Sequence, residues 1–276
     1  MRRRSELTAG RLAANAVAYG VAIFLLVPTA LIVPMSFGPD RFLKFPPSGF
    51  TLEWYAAYFS DRDWLDATFF SLRIAVLTSI VATVVGALVS LALVRGRLPG
   101  KPVFELLVVG PVIVPNIAIA IATYLVFDGL KLTGTTLGFV AAHTALAMPF
   151  VVFTILASLH RYDADLERAA LSCGASPLQA FTWVTLPQIL PGIISAALFA
   201  FIISFDEPVI SFFISDLDHR SLPRKMFEDI DYNVSPTLAA VATVLTGLTV
   251  LALVVGHFAG RGRQASPVAR RPTSGN

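Results

Sequence analysis

The sequence predicts an all-α membrane protein with six transmembrane helices. Three observations predict it. Only 14% of the 276 residues are charged, where soluble domains carry about 25%. The mean hydropathy is +0.72. The apolar residues also collect in uncharged runs long enough to cross a bilayer, which takes roughly 20 helical residues for about 30 Å. Helices are required because hydrocarbon offers backbone amides no hydrogen-bond partner.

The first span is predicted at about 12–35, within the uncharged run Leu12–Pro39. That run is too long for a signal peptide, and Pro28 and Pro34 stand where a cleavage site belongs, so it is a retained anchor. The external segment 36–69 mixes proline, aromatics and both charge signs. It is predicted to lie on the outer face as short interfacial helices, with Trp54, Tyr55, Tyr58 and Trp64 at headgroup depth. A second span follows at 70–94, then the basic turn Arg95–Lys101 and a third span at 104–127. The fourth, 136–159, carries His143 as its one titratable group. The uncharged run Ala169–Phe205 exceeds one span, and Pro177, Pro187 and Pro191 interrupt its first half. The fifth span is therefore placed at about 190–214. The sixth covers 236–259. The Arg-, Pro- and Ser-rich tail beyond it has the composition of a disordered segment.

An even number of spans puts both termini on one side. With the termini inside, 13 of the 21 Lys and Arg face the cytoplasm and seven the outside. The positive-inside rule then makes both termini cytoplasmic, and with them the loop between the fourth and fifth spans. The chain divides into a cytoplasmic N-terminus (1–11), the first span and external loop (12–69), a core (70–262) containing the cytoplasmic loop 160–189, and the tail 263–276.

No catalytic pattern emerges. The stretch GRLPGKP (Gly96–Pro102) lacks the glycine spacing and strand–helix setting of a nucleotide loop. The four histidines have no metal-ligand spacing, so no metal site is expected. His143 is expected to hydrogen-bond between helices. One cysteine gives neither an internal disulfide nor a thiolate cluster. The net charge of +3 comes from inner-face arginines, with no basic patch interleaved with aromatics, so no nucleic acid is expected. The chain has no nucleotide or cofactor site of its own.

The most informative stretch is DLERAALSCGASPLQAFTWVTLP (Asp165–Pro187). It is predicted to form a helix–turn–helix. Asp163 or Asp165 caps a first helix with the stripe Leu166, Ala169, Ala170 and Cys173. Gly174 ends it in a left-handed conformation. Ser176 caps a second helix that has Pro177 at its first position. Such an apolar pair facing water is covered either by a partner or by its own membrane.

The stretch is similar to the EAA loop of integral-membrane permeases of bacterial ABC importers. Ala169, Ala170 and Gly174 match that motif, and Val184, Leu186 and Pro187 close it. Arg168 stands where the family carries Glu, with Glu167 one residue earlier. SFDEPVISFFIS (Ser204–Ser215) and LPRKMFEDIDYNVSPTLAAVAT (Leu222–Thr243) resemble the second permease subunit of spermidine/putrescine-type importers. The likeness covers about 70–262. It implies a type I ABC importer permease core with an extra N-terminal helix, in a bacterial inner membrane. It also implies a non-catalytic role, with ATP bound by a dimer of separate ATP-binding subunits. Glu167, Arg168, Ala169, Ala170, Gly174, Ala175, Ser176, Pro177, Leu186 and Pro187 would form the loop that couples to them. A second permease subunit, of different sequence, and an external solute-binding protein are the other implied partners. The implied cargo is a small polar solute of the polyamine kind; related systems also move iron, phosphonates and opine-like compounds.

The alternative is a membrane enzyme or a self-sufficient secondary carrier. An enzyme needs titratable groups clustered at one depth, and a carrier shows paired repeats. The nearest approach to a cluster is the pair Asp206–Glu207. Carboxylates at membrane depth are costly and face a partner or a watery path. Asp206, Glu207 and Phe205 are therefore candidate pathway residues. Pro208 predicts a kink there. Neighbours on a helix differ by about 100°, so one carboxylate faces the path while the other pairs structurally, with Arg73 a candidate partner. The external segment 216–231, with Arg220, Arg224 and Lys225, is the expected docking face for a binding protein.

Overall fold

The computed structural model describes residues 2–96, 98–216, 219–232 and 235–261, omitting the side chains of 2–10, 13, 231–232 and 252–261. The tail 263–276, Arg97 and Asp218 fall outside the described residues. All described regular structure is helical: α1 (Arg2–Met35), α2 (Glu53–Ser60), α3 (Arg62–Arg95), α4 (Lys101–Ile113), α5 (Asn116–Gly129) and α6 (Thr136–Arg161). Then come α7 (Ala164–Ser172), α8 (Pro177–Ala180), a π-helical turn (Phe181–Thr185), α9 (Leu186–Phe205), α10 (Val209–Ile214), α11 (Leu222–Tyr232) and α12 (Pro236–Arg261). Among the described residues, four helices are long and apolar enough to cross a membrane, or five if the bent pair α4–α5 is one span. The helix α12 runs 26 residues.

The chain forms two compact units, Met1–Asp61 with Asp229–Asn276, and Arg62–Glu228. The division differs from the predicted 70–262 core because α12 packs on α1 and α2. In the first unit the segment after α1 folds back on that helix's end. Trp54 Nε1 donates to the Gly38 carbonyl at 2.8 Å, and Ser36 shares a 2.6 Å hydrogen bond with Tyr55. Phe37 stacks on Phe50 and Tyr55. Tyr58 is buried in protein.

In the second unit, α3 begins at Arg62, earlier than predicted, because Arg62–Phe69 continues the helix instead of lying on the surface. Trp64 is accordingly buried. The core is the packing of α3, α6 and α9 on one another. Small residues let these backbones approach: Ala82, Ala147, Ala196 and Ala200 are buried between them. A Cβ at Gly86 would run into Val151, and one at Gly192 into Ser158. Hydroxyls add bonds across helices, as where Ser79 donates to the Ala197 carbonyl at 2.7 Å.

Two predicted spans are corrected. The stretch 104–127 is not one helix. Pro115 lacks an N–H and forces Val114 into extended backbone (ψ 135), so α4 and α5 meet at 108°. The fifth span begins earlier and ends earlier than 190–214. Helix runs without interruption from Pro177 to Phe205 and breaks at Asp206–Pro208. Pro187 is tolerated because the π-helical turn before it leaves it in the first turn of α9.

Gly86→Val is expected to destabilise the second unit by about 1–3 kcal/mol through overpacking. Thermal melting of the purified chain in detergent reads this as a lowered midpoint. Gly110→Ala, where a Cβ meets open space, is expected to melt no lower than the wild type.

Candidate functional site

The loop joining α6 to α9 is built as the sequence pattern requires. The Asp163 carboxylate accepts from the Asp165 N–H at 2.9 Å and caps α7. Gly174 adopts φ +89, with nothing near its Cα hydrogen. Its N–H donates to Leu171, and the Ala175 N–H donates to Ala170 at 3.1 Å, which closes α7 as a Schellman motif. Ser176 and Gln179 then bond reciprocally in a capping box, with Pro177 at the first helical position.

Glu167 holds this loop in place. It receives two hydrogen bonds from the Arg95 guanidinium at 3.0 and 2.5 Å, one from the Thr185 hydroxyl at 2.7 Å, and one from the Tyr162 phenol. Arg95 ends α3, Tyr162 follows α6 and Thr185 closes the π-helical turn. Phe181 lies under the guanidinium, 5.8 Å from ring centroid to Cζ. Burial pushes the Glu167 carboxyl up, but the bonds from Tyr162, Thr185 and Arg95, and the Arg95 charge, outweigh it and hold the pKa below its ordinary value. Burial and the Glu167 bond push the Tyr162 phenol up.

Glu167 thus faces inward, with 17% of its side chain exposed. Arg168 faces out and pairs with Asp165 on the surface. The outward face also carries Ala169, Cys173, Gly174, Pro177 and Leu178; Leu171 lies on the Glu167 side, Ala170, Ala175 and Leu186 are half-buried, and Ser176 and Pro187 are exposed. Sequence reasoning missed Arg95, Tyr162 and Thr185. Arg95 and Glu167 are 72 residues apart, and the arginine had the ordinary signature of an inner-face charge.

The two carboxylates at the break after α9 separate. Asp206 is exposed at the helix end. Glu207 is buried and accepts from the Ile210 N–H at 2.9 Å, capping α10. Its partner is helix backbone rather than Arg73, which is exposed. Phe205 is half-buried and stacks on Phe201. His143 is buried and joins three helices, 2.8 Å from the Ser204 hydroxyl and 3.4 Å from that of Ser211. At the start of α11, Arg220 pairs with Asp63 and Glu228, and Arg224 with Glu228. Lys225 lies over Trp64. These three charges thus take part in contacts within the unit.

Residues 82–264 match the family described as binding-protein-dependent transport system inner membrane component. The chain is 32% identical to the spermidine/putrescine transport system permease protein PotC of Haemophilus influenzae, over 87% of this chain and 93% of that one. It is 29% identical to PotC of Escherichia coli over 97% of both chains. A bacterial ABC transporter involved in the import of the acidic polysaccharide alginate shares the fold, with a TM-score of 0.64, 16% identity, and 90% and 94% of the two chains covered.

Two outcomes are expected. Gly174→Val places a β-branched residue at φ +89 and should cost more than about 1 kcal/mol, with Gly174→Asn milder, as read by melting in detergent. Glu167→Gln should melt below the wild type at neutral pH. A lowered carboxyl pKa contributes stability in full above the ordinary value of 4.5, and loses it as pH falls through the folded value. The gap between the two proteins should therefore close in acid.

Proposed function

Because the chain belongs to the family of binding-protein-dependent transport system inner membrane components, we propose that it carries a polyamine-like cation across a bacterial inner membrane. It acts as one permease of an ATP-driven importer. It pairs with a second permease of different sequence, receives its solute from an external binding protein, and has both termini in the cytoplasm. ATP is bound and hydrolysed by a separate pair of subunits, which dock on the 160–189 loop. The alternative of an enzyme or self-sufficient carrier falls away, since the relatives are named as transport permeases.

The observation that carries this reading is the exposed, doubly capped helix–turn–helix of the loop, on a chain so similar to polyamine permeases along its length. An exposed apolar surface of this kind is covered by a partner. The cationic solute is supported by Asp206, an exposed carboxylate at the end of a 20-residue apolar helix. That end lies about 30 Å from the start of α9, and its free carbonyls add negative potential beside the carboxylate. Glu207 is buried and caps α10, so Asp206 is the carboxylate offered to the solute.

Uptake of labelled putrescine or spermidine by cells or proteoliposomes tests this. Asp206→Asn is expected to lower uptake about tenfold or more, the scale of one lost charge contact, with the assembly still co-purifying. Glu207→Gln keeps an acceptor for the Ile210 N–H and should lower uptake far less. Normal polyamine uptake by Asp206→Asn would contradict the cationic pathway. Absence of polyamine uptake by the wild-type assembly would contradict the solute class.

A further inference from the structure

The helix α7 contributes no buried side chain. Apolar burial therefore does not fix where it lies. A cavity of about 320 Å³, lined by Val94, Leu159, Ala164 and Leu171 among others, opens beside it. What fixes α7 is polar. Its Glu167 is held by Arg95, Thr185 and Tyr162 together. These groups sit on the end of α3, the residue after α6 and the entry to α9, the three helices that form the core of this unit.

An isolated surface ion pair contributes little. This carboxylate is mostly buried, Thr185 is fully buried, and the acceptor is shared by three side chains. The guanidinium presents two parallel N–H groups to it, a geometry that fixes orientation as well as distance. The Phe181 ring holds the guanidinium from its face. A lysine supplies the charge without the fork.

We infer that Arg95 is a positioning residue for coupling: through Glu167 it locks the 160–189 loop to the end of α3, so that loop and bundle move as one body. This rests on the reading that the loop docks on the ATP-binding subunits. Arg95 lies outside the loop and outside the motif that marks it.

Cys173 is the only cysteine in the chain and sits exposed on the turn after α7. It takes a nitroxide label without any engineered cysteine. The label's mobility is measured first on the full-length permease in nanodiscs, then in the complete assembly with cysteine-free partners, where solute-stimulated and basal ATP hydrolysis are also recorded. Arg95→Met is expected to raise label mobility in both settings. It should lower the ratio of stimulated to basal hydrolysis by about fivefold or more, the lower range of a coupling between sites. Arg95→Lys should fall between Arg95→Met and the wild type on both readouts. Wild-type mobility and ratio in Arg95→Met would overturn the inference. If Arg95→Met yields no assembly, Arg95→Lys decides by the same two readouts. If the wild-type label is unchanged when ATP-binding subunits join, the docking reading fails; the permease-only mobility still judges the clamp.

Discussion

Hydrocarbon gives a backbone amide nothing to bond to, and this constraint shapes the whole chain. It explains why every described element is a helix and why interruptions are few. Where the chain does break at membrane depth, the structure supplies substitutes. The break at Asp206–Pro208 is repaired by Glu207, whose carboxylate takes the Ile210 N–H. His143 bonds Ser204 on one side of that break and Ser211 on the other, tying both halves to α6. Near the other broken span, the Gly134 N–H reaches the Ile214 carbonyl at 2.7 Å. Polar side chains inside this fold thus serve backbone geometry first. Asp206, exposed at the end of α9, has no such duty among the described hydrogen bonds, which is why the proposed pathway role falls to it.

The loop between α6 and α9 obeys different rules, because water satisfies what its backbone exposes. It uses short helices, a left-handed glycine and a capping box to make a firm, partly apolar projection. Firmness is what the proposed coupling role requires, since a flexible loop would absorb motion instead of passing it on. The Arg95–Glu167 pair connects that projection to the bundle although no residue of α7 is fully buried. The acidic residue nearest the motif's opening therefore faces the protein's own interior, while Arg168 occupies the outward position.

Much of this was legible in the sequence, and the failures share a cause. Helix identity, the Gly174 turn and the Ser176 cap follow from local chemistry, and they stand where local chemistry put them. The kink at Pro208 was legible for the same reason. Pro115 was overlooked because the apolar run continues past it. Pro187 and Pro191 were given too much weight, because a π-helical turn accommodates the first and α9 continues through the second. Long-range pairings were the least visible. Nothing local distinguishes Arg95 from the other basic residues near it, or shows that Arg220 reaches Asp63.

We propose that this chain turns ATP hydrolysis by partner subunits into solute movement through the 160–189 loop. The most direct test attaches a photoactivatable reagent to Cys173 in the assembled importer and identifies what it captures during uptake. Capture of the ATP-binding subunit is expected, with a yield that changes between nucleotide-free and ATP-bound states. Vigorous uptake with capture of lipid or of this chain alone would contradict it.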